Sequence, residues 1–257
     1  MNRIVKIVAA VTRRFHPRGT QRVLKFLFPP GKVQIHAVIP YDGGLRIQVD
    51  TSSYVEWDLF FRGEYERNVT DLFRGILTGG GVAVDVGAYI GTHALVMARL
   101  VGNTGAVFAF EPNPDIVKRL SGNIALNTLR TVRVFPLALS RAEGTMDLYT
   151  YSDALSDKGT SSLYKLDRLQ RKEKVTVSTL DTVLRDARID RLDLIKIDTR
   201  GSDFPVLAGG EKSIRRFNPY VVFEYNADNW THAGSRWEDA QEFFDRNRYS
   251  LYRVGNR

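Results

Sequence analysis

Cysteine is missing altogether from this 257-residue chain. Disulfides and thiolate-metal centres are therefore excluded, and cysteine usage says nothing about redox compartment. No stretch approaches the roughly 20 apolar residues that a membrane-spanning helix needs. Acidic residues are absent from positions 1–32, which hold Arg3, Lys6, Arg13, Arg14, Arg18, Arg22, Lys25 and Lys32. Those eight cations account for the whole formal net charge of +8, and the rest of the chain is balanced. A basic arm on a neutral body is a different object from a basic protein, and no nucleic-acid partner is expected from it.

What is present is ordinary for a globular domain: 43% apolar and 26% charged residues, in a length sufficient for one substantial domain with or without an appendage. The arm carries apolar residues (Ile4, Val5, Ile7, Val8, Val11, then Val23, Leu24, Phe26, Leu27, Phe28) that could form one face of short helices. Two readings follow. One is peripheral contact with anionic lipid, through apolar insertion and charge together. The other is a helical lid packed on the body with its basic face in water, the commoner fate of a charge run. Lys6 interrupts an already short apolar stretch and no small-residue cleavage site follows cleanly, so a cleaved leader is not expected.

Pro29-Pro30-Gly31 ends the arm, residues 1–32. Residues 33–39 and 45–49 alternate as strands do, with Asp42-Gly43-Gly44 as the turn between them. Spaced apolar positions over 55–77 then predict a helix stopped by Gly79-Gly80-Gly81, which closes a segment of 33–80. From 81 to 257 strand and helix patterns alternate, which predicts a mainly parallel sheet covered by helices on both faces. Beyond the strands at 82–86 and 106–110, further strands are expected at 131–135, 192–197, 220–224 and 249–254. Helices are expected at 114–127, 203–216 and 236–247. An insertion over 141–190 holds two extra strands, Thr145–Tyr151 and Lys174–Val177, around a polar, turn-rich middle from Ser152 to Lys172 that reads as a mobile loop.

The most informative segment is Val84-Asp85-Val86-Gly87-Ala88-Tyr89-Ile90-Gly91, followed by Phe110-Glu111-Pro112. It reads as strand, glycine loop, helix, strand, carboxylate. Glycines let a ligand approach the backbone, and a carboxylate at the second strand's tip can accept hydrogen bonds from a ribose diol. A dinucleotide site wants G-x-G-x-x-G, so that a pyrophosphate can sit on the helix N-terminus. Here Asp85 takes the first glycine's place, giving D-x-G-x-x-x-G. A carboxylate there would repel a pyrophosphate, which argues against a nucleotide-dependent oxidoreductase, and it suits a cationic ligand with an amino-acid end. The segment resembles the first nucleotide-binding motif of Rossmann-like methyltransferases that depend on S-adenosylmethionine (SAM).

The resemblance narrows along the chain. Phe110-Glu111-Pro112-Asn113-Pro114, Leu120, Asn123 and Leu126-Asn127 resemble the second-strand region of FkbM-type methyltransferases. So do Ala138-Leu139-Ser140 with Gly144, Ser161-Ser162-Leu163, and Val177 through Asp181. Leu194 through Asp198, Gly201, Val206 through Gly210, and Pro219 through Glu224 complete an ordered series covering about residues 56–254. The resemblance implies a Rossmann-like fold, SAM as cofactor, and O-methylation of a hydroxyl on a carbohydrate, a lipid-linked glycan or a related metabolite. The protein is expected in the cytoplasm, with or without a membrane contact through its arm. The family sheet has seven strands and six are counted here. A non-standard order, a fragment lacking the seventh strand, or an unpaired edge would each account for that. One departure stands out: after the fourth strand the family has a carboxylate where this chain has Arg200, in Asp198-Thr199-Arg200-Gly201-Ser202-Asp203. A protein that binds SAM without turnover is the alternative this departure supports.

Asp85 and Gly87 are expected to hold the amino-acid end of the cofactor, with Gly91 letting the helix pack close and Ala88 and Tyr89 completing the cofactor-binding loop. Glu111 is expected to take the ribose. Pro112 and Asn113 either support that loop or end the strand, and Leu137-Ala138 either meets the adenine edge or packs a strand end. Lys196, the odd residue in an apolar strand, is read as one half of an ion pair with Asp198, Glu224 or Asp85. Asp198 would orient or deprotonate the acceptor hydroxyl, or cap the helix at 203–216; Glu224 would bind acceptor or share a cation. His232, after the fifth strand, is a candidate general base, and His93 a helix-start residue that could face the ligand. Tyr151 and Ser161-Ser162 could form a lid. No metal site is assigned, and oligomeric state is left open.

Overall fold

Gly79-Gly80-Gly81 divides an N-terminal layer from a parallel sheet in the computed structural model, which describes residues 2–15, 20–32, 34–150, 161–164 and 171–255. The layer begins with helices α1 (Asn2–Phe15) and α2 (Thr20–Leu27). The antiparallel strands β1 (His36–Tyr41) and β2 (Leu45–Asp50) follow, joined by a single turn of 3₁₀ helix at Asp42–Gly44. The helix expected over 55–77 is two, α3 (Tyr54–Arg62) and α4 (Arg67–Ile76). Gly63 ends α3 in the left-handed region (φ 73°), a conformation glycine adopts at little cost.

The main sheet contains β3 (Val82–Val86), β4 (Ala106–Phe110), β5 (Val132–Phe135), β10 (Leu194–Ile197) and β11 (Tyr220–Phe223), all parallel, in the order β11-β10-β3-β4-β5. Helices α5 (Thr92–Val101) and α6 (Pro114–Leu126) follow β3 and β4. Side chains alternate across the sheet. Ala83, Val107, Ala109 and Leu194 join the core shared with α5, α6 and the N-terminal layer. Val84, Val86, Phe108, Phe110, Ile195 and Ile197 join the opposite core, with Val206, Phe243 and Phe244. The expected α/β architecture, Rossmann-like with helices on both faces, is the one observed.

Between β5 and β10 lies a second sheet. It comprises β6 (Ala138–Leu139), β7 (Gly144–Thr150), β8 (Ser161–Ser162) and β9 (Arg171–Ser178) in the order β6-β9-β7-β8. Both extra strands of the insertion are thus present, and Leu148, Leu163, Val175 and Val177 give this sheet its own small core. Tyr151 and most of the expected mobile loop lie outside the described residues. The remaining helices are α7 (Leu180–Asp186), α8 (Asp203–Gly209), α9 (Glu211–Phe217), α10 (Ala227–His232) and α11 (Trp237–Arg246).

Two expectations are corrected, and one element is added. The helix read over 203–216 breaks at Gly209-Gly210, where a Cβ on Gly209 would lie 2.1 Å from the carbonyl oxygen of Ser140. α7 lies in a part of the insertion to which the sequence reading assigns no element; the Thr179 hydroxyl caps it by accepting from the N–H of Thr182. The sixth strand, 249–254, is absent. Arg248 turns the chain with φ 62°, and Leu251, Tyr252 and Val254 face solvent, so the alternating pattern has no face to bury. The main sheet therefore has five strands among the described residues, with β11 at one edge.

The two layers are tied by side chains as well as by packing. Asn123 on α6 and Asn127 at its C-terminal cap reach the backbone of β2. Asn123 accepts from the N–H of Gln48 at 2.7 Å. Asn127 accepts from the N–H of Arg46 at 2.7 Å and donates to its carbonyl at 2.6 Å.

Candidate active site

In a parallel sheet the ligand crevice opens beyond the carboxyl ends of the strands, at the point where successive strands depart to opposite sides. Here that point lies between β3 and β10. The glycine loop after β3 is folded back onto β4: the N–H groups of Gly87 and Ala88 both donate to the carbonyl of Phe110 at 3.0 Å. Gly87 has φ 77°, and a Cβ there would lie 2.0 Å from the carbonyl oxygen of Asp198, so no side chain fits between β3 and β10. Gly91, with φ 99°, opens α5, and a Cβ there would press on Leu120 at 3.0 Å.

The loop holds Glu111. Tyr89, at φ 51°, donates its N–H to Oε2 of Glu111 at 3.1 Å, and Asn113 donates its N–H to Oε1 at 3.0 Å. Burial pushes the Glu111 carboxyl up to about 7, with the N–H groups of Asn113 and Tyr89 pulling it back. Asn113 has a second duty as the cap of α6, its side-chain oxygen accepting from the backbone N–H of Asp115 at 3.0 Å.

The cleft has four walls. Val86, Gly87, Tyr89, Phe110, Glu111 and Pro112 form the first. Leu137, Ala138, Leu139 and Leu148, with Ser161, Ser162 and Leu163, come from the second sheet. Lys196, Asp198, Thr199, Arg200 and Ser202 come from the end of β10 and the loop beyond it. Ser53, Val55 and Tyr65 come from the N-terminal layer, beside Thr92 and His93 of α5.

Register explains the charge at its floor. Lys196 lies alongside Asp85 across β10 and β3, and both are buried. Nζ of Lys196 is 3.4 Å from Oδ1 of Asp85 and 3.5 Å from Oδ2 of Asp198. Burial alone would lower the lysine, but Asp85 and then Asp198 outweigh it and hold it above its ordinary value. Lys196 is thus a fixed cation. Burial would raise Asp198, yet Lys196 keeps it below the usual carboxylate range. Its neighbour Glu224, at the tip of β11, goes the other way, pushed up to about 7 by partial burial and then by the charge of Asp198. The pair is one ionised carboxylate hydrogen-bonded to one that holds a proton near neutrality.

Several expected roles are corrected. Asp85 does not line the cleft; it lies beneath Lys196 and acts on the cleft through that residue. Asp198 does not cap the next helix. Asp203 organises that loop instead, accepting from the N–H groups of Thr199 and Gly201, each at 3.2 Å. His232 is exposed on α10, with Nδ1 2.7 Å from the carbonyl oxygen of Asp228, and is no part of the cleft wall. Glu224 reaches the cleft through Asp198. His93 does line it; burial and then Lys196 push this histidine down to about 3, so it is neutral.

The N-terminal wall had no motif to announce it. Beneath Tyr89 lies Glu56 of α3, fully buried, which accepts from the Tyr89 hydroxyl at 2.5 Å and from the N–H of Asp50 at 2.5 Å. Arg119 of α6 forks onto the same carboxylate at 2.7 and 2.5 Å. The one available signal was Glu56 itself, an acid inside the apolar pattern of 55–61.

SAM fits this donor set. Glu111 spends one acceptor site per oxygen on the loop and keeps others for a ribose diol. Phe110, Leu137, Leu139 and Leu148 offer an apolar slot. The hydroxyls of Thr199 and Ser202 are buried in the wall with no hydrogen-bond partner among the described residues, as expected of groups that await a ligand.

Comparison with known proteins agrees. Residues 85–251 match the methyltransferase FkbM domain. The chain is 27% identical over 145 residues to the hexuronic acid methyltransferase AglP of Haloferax volcanii, covering 56% of this chain and 55% of that protein. It is 31% identical over 181 residues to the methyltransferase sdnD of Sordaria araneosa, covering 60% of this chain and 68% of sdnD. It is 26% identical over 157 residues to the 2-O-methyltransferase NoeI of Sinorhizobium fredii, covering 56% of this chain and 63% of NoeI. The alignments thus span about half to two thirds of these relatives. The chain is a member of the FkbM methyltransferase family.

Proposed function

We propose that this protein is a SAM-dependent O-methyltransferase acting in the cytoplasm on a hydroxyl of a carbohydrate, lipid-linked glycan or related metabolite. The observation that carries the reading is Glu111, buried at the tip of β4 and clamped by the glycine loop and Asn113. The names of two relatives, a hexuronic acid methyltransferase and a 2-O-methyltransferase, support a sugar-like acceptor. SAM supplies, when bound, a methyl group already activated on a sulfonium. The protein's share is therefore mainly placement and exclusion of water. Glu111 takes the ribose, with Gly87, Ala88, Tyr89 and Gly91 shaping the loop against it and Pro112 and Asn113 holding its far side. Ala138 and its apolar neighbours bound the adenine side. Lys196 keeps Asp198 ionised, so Asp198 can accept a hydrogen bond from the acceptor hydroxyl and then its proton. Glu224 tunes Asp198 through their shared hydrogen bond.

Calorimetric titration with SAM and S-adenosylhomocysteine tests the cofactor, and a screen of sugar hydroxyl acceptors tests the transfer. Asp198→Asn is expected to lower kcat on the order of a hundredfold while leaving S-adenosylhomocysteine affinity within about threefold. Unchanged kcat would remove Asp198 from the chemistry. The second reading, a protein that binds SAM without turnover, is favoured by Arg200, a cation in the cleft wall where the family carries a carboxylate. It predicts tight S-adenosylhomocysteine binding with no methyl transfer to any hydroxyl acceptor.

A further inference from the structure

α1 has two apolar faces. Its inner face is docked: Val5 and Ala9 are buried in the main core, Thr12 donates its hydroxyl to the carbonyl of Phe61 at 2.7 Å, and Arg13 donates to the carbonyl of Phe60. α2 is docked likewise through Leu24, with Nζ of Lys25 5.0 Å over the ring of Tyr54. Their outer faces are not what a lid in water should show. Ile4, Ile7, Val11 and Phe15 are 64, 64, 50 and 67% exposed, and Val23, Phe26 and Leu27 are 56, 84 and 56% exposed. At 100° per residue, positions 4, 7, 11 and 15 fall within an arc of about 80°, one continuous stripe. Arg3, Lys6 and Arg14 run along one side of it, all exposed, and Arg22 is exposed on α2. None of these four cations has an ion-pair partner among the described residues.

We propose that the outer faces of α1 and α2 form a docking surface for an anionic phospholipid membrane. A held apolar stripe flanked by unpaired cations is what such a surface takes: side chains enter the headgroup boundary while Lys and Arg meet lipid phosphate. Charge argues against a second copy of the chain as the occupant, since two arms would each bring several cations and no acid into one interface. No helix among the described residues is long and apolar enough to cross a membrane, so the contact is peripheral. Its position gives it a use. Tyr54, under Lys25, sits between Ser53 and Val55 of the cleft wall, so α2 adjoins the cleft and docking would bring a lipid-linked acceptor near it. That consequence rests on the methyl-transfer reading; the docking itself does not.

The test is sedimentation of the full chain with vesicles of phosphatidylcholine alone and of phosphatidylcholine with one third phosphatidylglycerol. Binding to the anionic vesicles only, weakened by salt, is expected. Arg3→Ala combined with Lys6→Ala should lower partitioning roughly 25-fold, at about fivefold per cation removed. Ile7→Asp combined with Phe26→Asp should abolish it, and unchanged thermal melting of these surface variants would show that the loss is not unfolding. Three results would overturn the proposal: no binding to anionic vesicles at low salt, equal binding to both kinds, or a dimer in sedimentation velocity that the two aspartates dissolve.

Discussion

Glu111→Ala is expected to remove S-adenosylhomocysteine binding from calorimetric detection. The carboxylate is the only buried acid that closes β4, and both its oxygens are already oriented by the N–H groups of Tyr89 and Asn113. Losing two charge-assisted hydrogen bonds to a ribose diol costs about 3–6 kcal/mol, or two to four decades in Kd. The pH dependence has a definite sign. Burial sets the folded value of Glu111 at about 7 against an ordinary 4.5. A raised value means that the group's contribution to stability of the free protein is fully present below about 4.5 and is lost as pH rises through about 7. Ligand affinity runs the opposite way, because the ionised form accepts the ribose. Affinity should climb on the order of tenfold per pH unit below about 7 and level off above it. Glu111→Gln should flatten that profile, and an unaltered profile in this variant would take Glu111 out of the ribose site.

Glu56→Ala is expected to be the most destabilising single change near the cleft, by about 3–5 kcal/mol. Removal of this fully buried carboxylate takes the partner from the Arg119 guanidinium and the N–H of Asp50 and leaves the Tyr89 hydroxyl with Ser53 alone. In a chain of this size that corresponds to a fall in Tm on the order of 10 °C. Glu56 touches no cleft surface, so its effect on ligand should pass through Tyr89, whose N–H holds Glu111, and S-adenosylhomocysteine affinity should fall about tenfold alongside. Arg119→Ala in the Glu56→Ala background should cost much less than Arg119→Ala alone, because the two residues act as a unit. Additive melting temperatures would show that the pair is not coupled.

The residues that proved legible in sequence are those whose chemistry is local. An apolar run, a glycine turn and an acid twenty positions after Gly91 specify a strand, a loop and a strand tip within one contiguous stretch, and the structure assembles them as the spacing implies. Asp198 and Glu224 on adjacent strands were readable for the same reason. What escaped depends on contacts across the chain. Ser53, Val55 and Tyr65 reach the cleft only because β2 packs on α6, more than seventy positions away. Asp85 could not be separated from the ligand until register placed Lys196 over it. His232 had suitable chemistry after the fifth strand, but α10 turns it to solvent. The pattern at 249–254 alternates like a strand, and alternation alone cannot show that a neighbouring edge exists to receive it.

The bonds from Asn123 and Asn127 to β2 carry a thermodynamic consequence. They satisfy backbone groups of the hairpin with amides from a helix of the main domain, at separations of 75 and 81 positions. Peeling the N-terminal layer away would expose those groups and the shared core at one stroke, so the layer has no unfolding equilibrium of its own to occupy. Calorimetry should record a single endotherm with equal van't Hoff and calorimetric enthalpies. The segment preceding the family-matched region would then melt as part of the same cooperative unit that holds the cofactor loop.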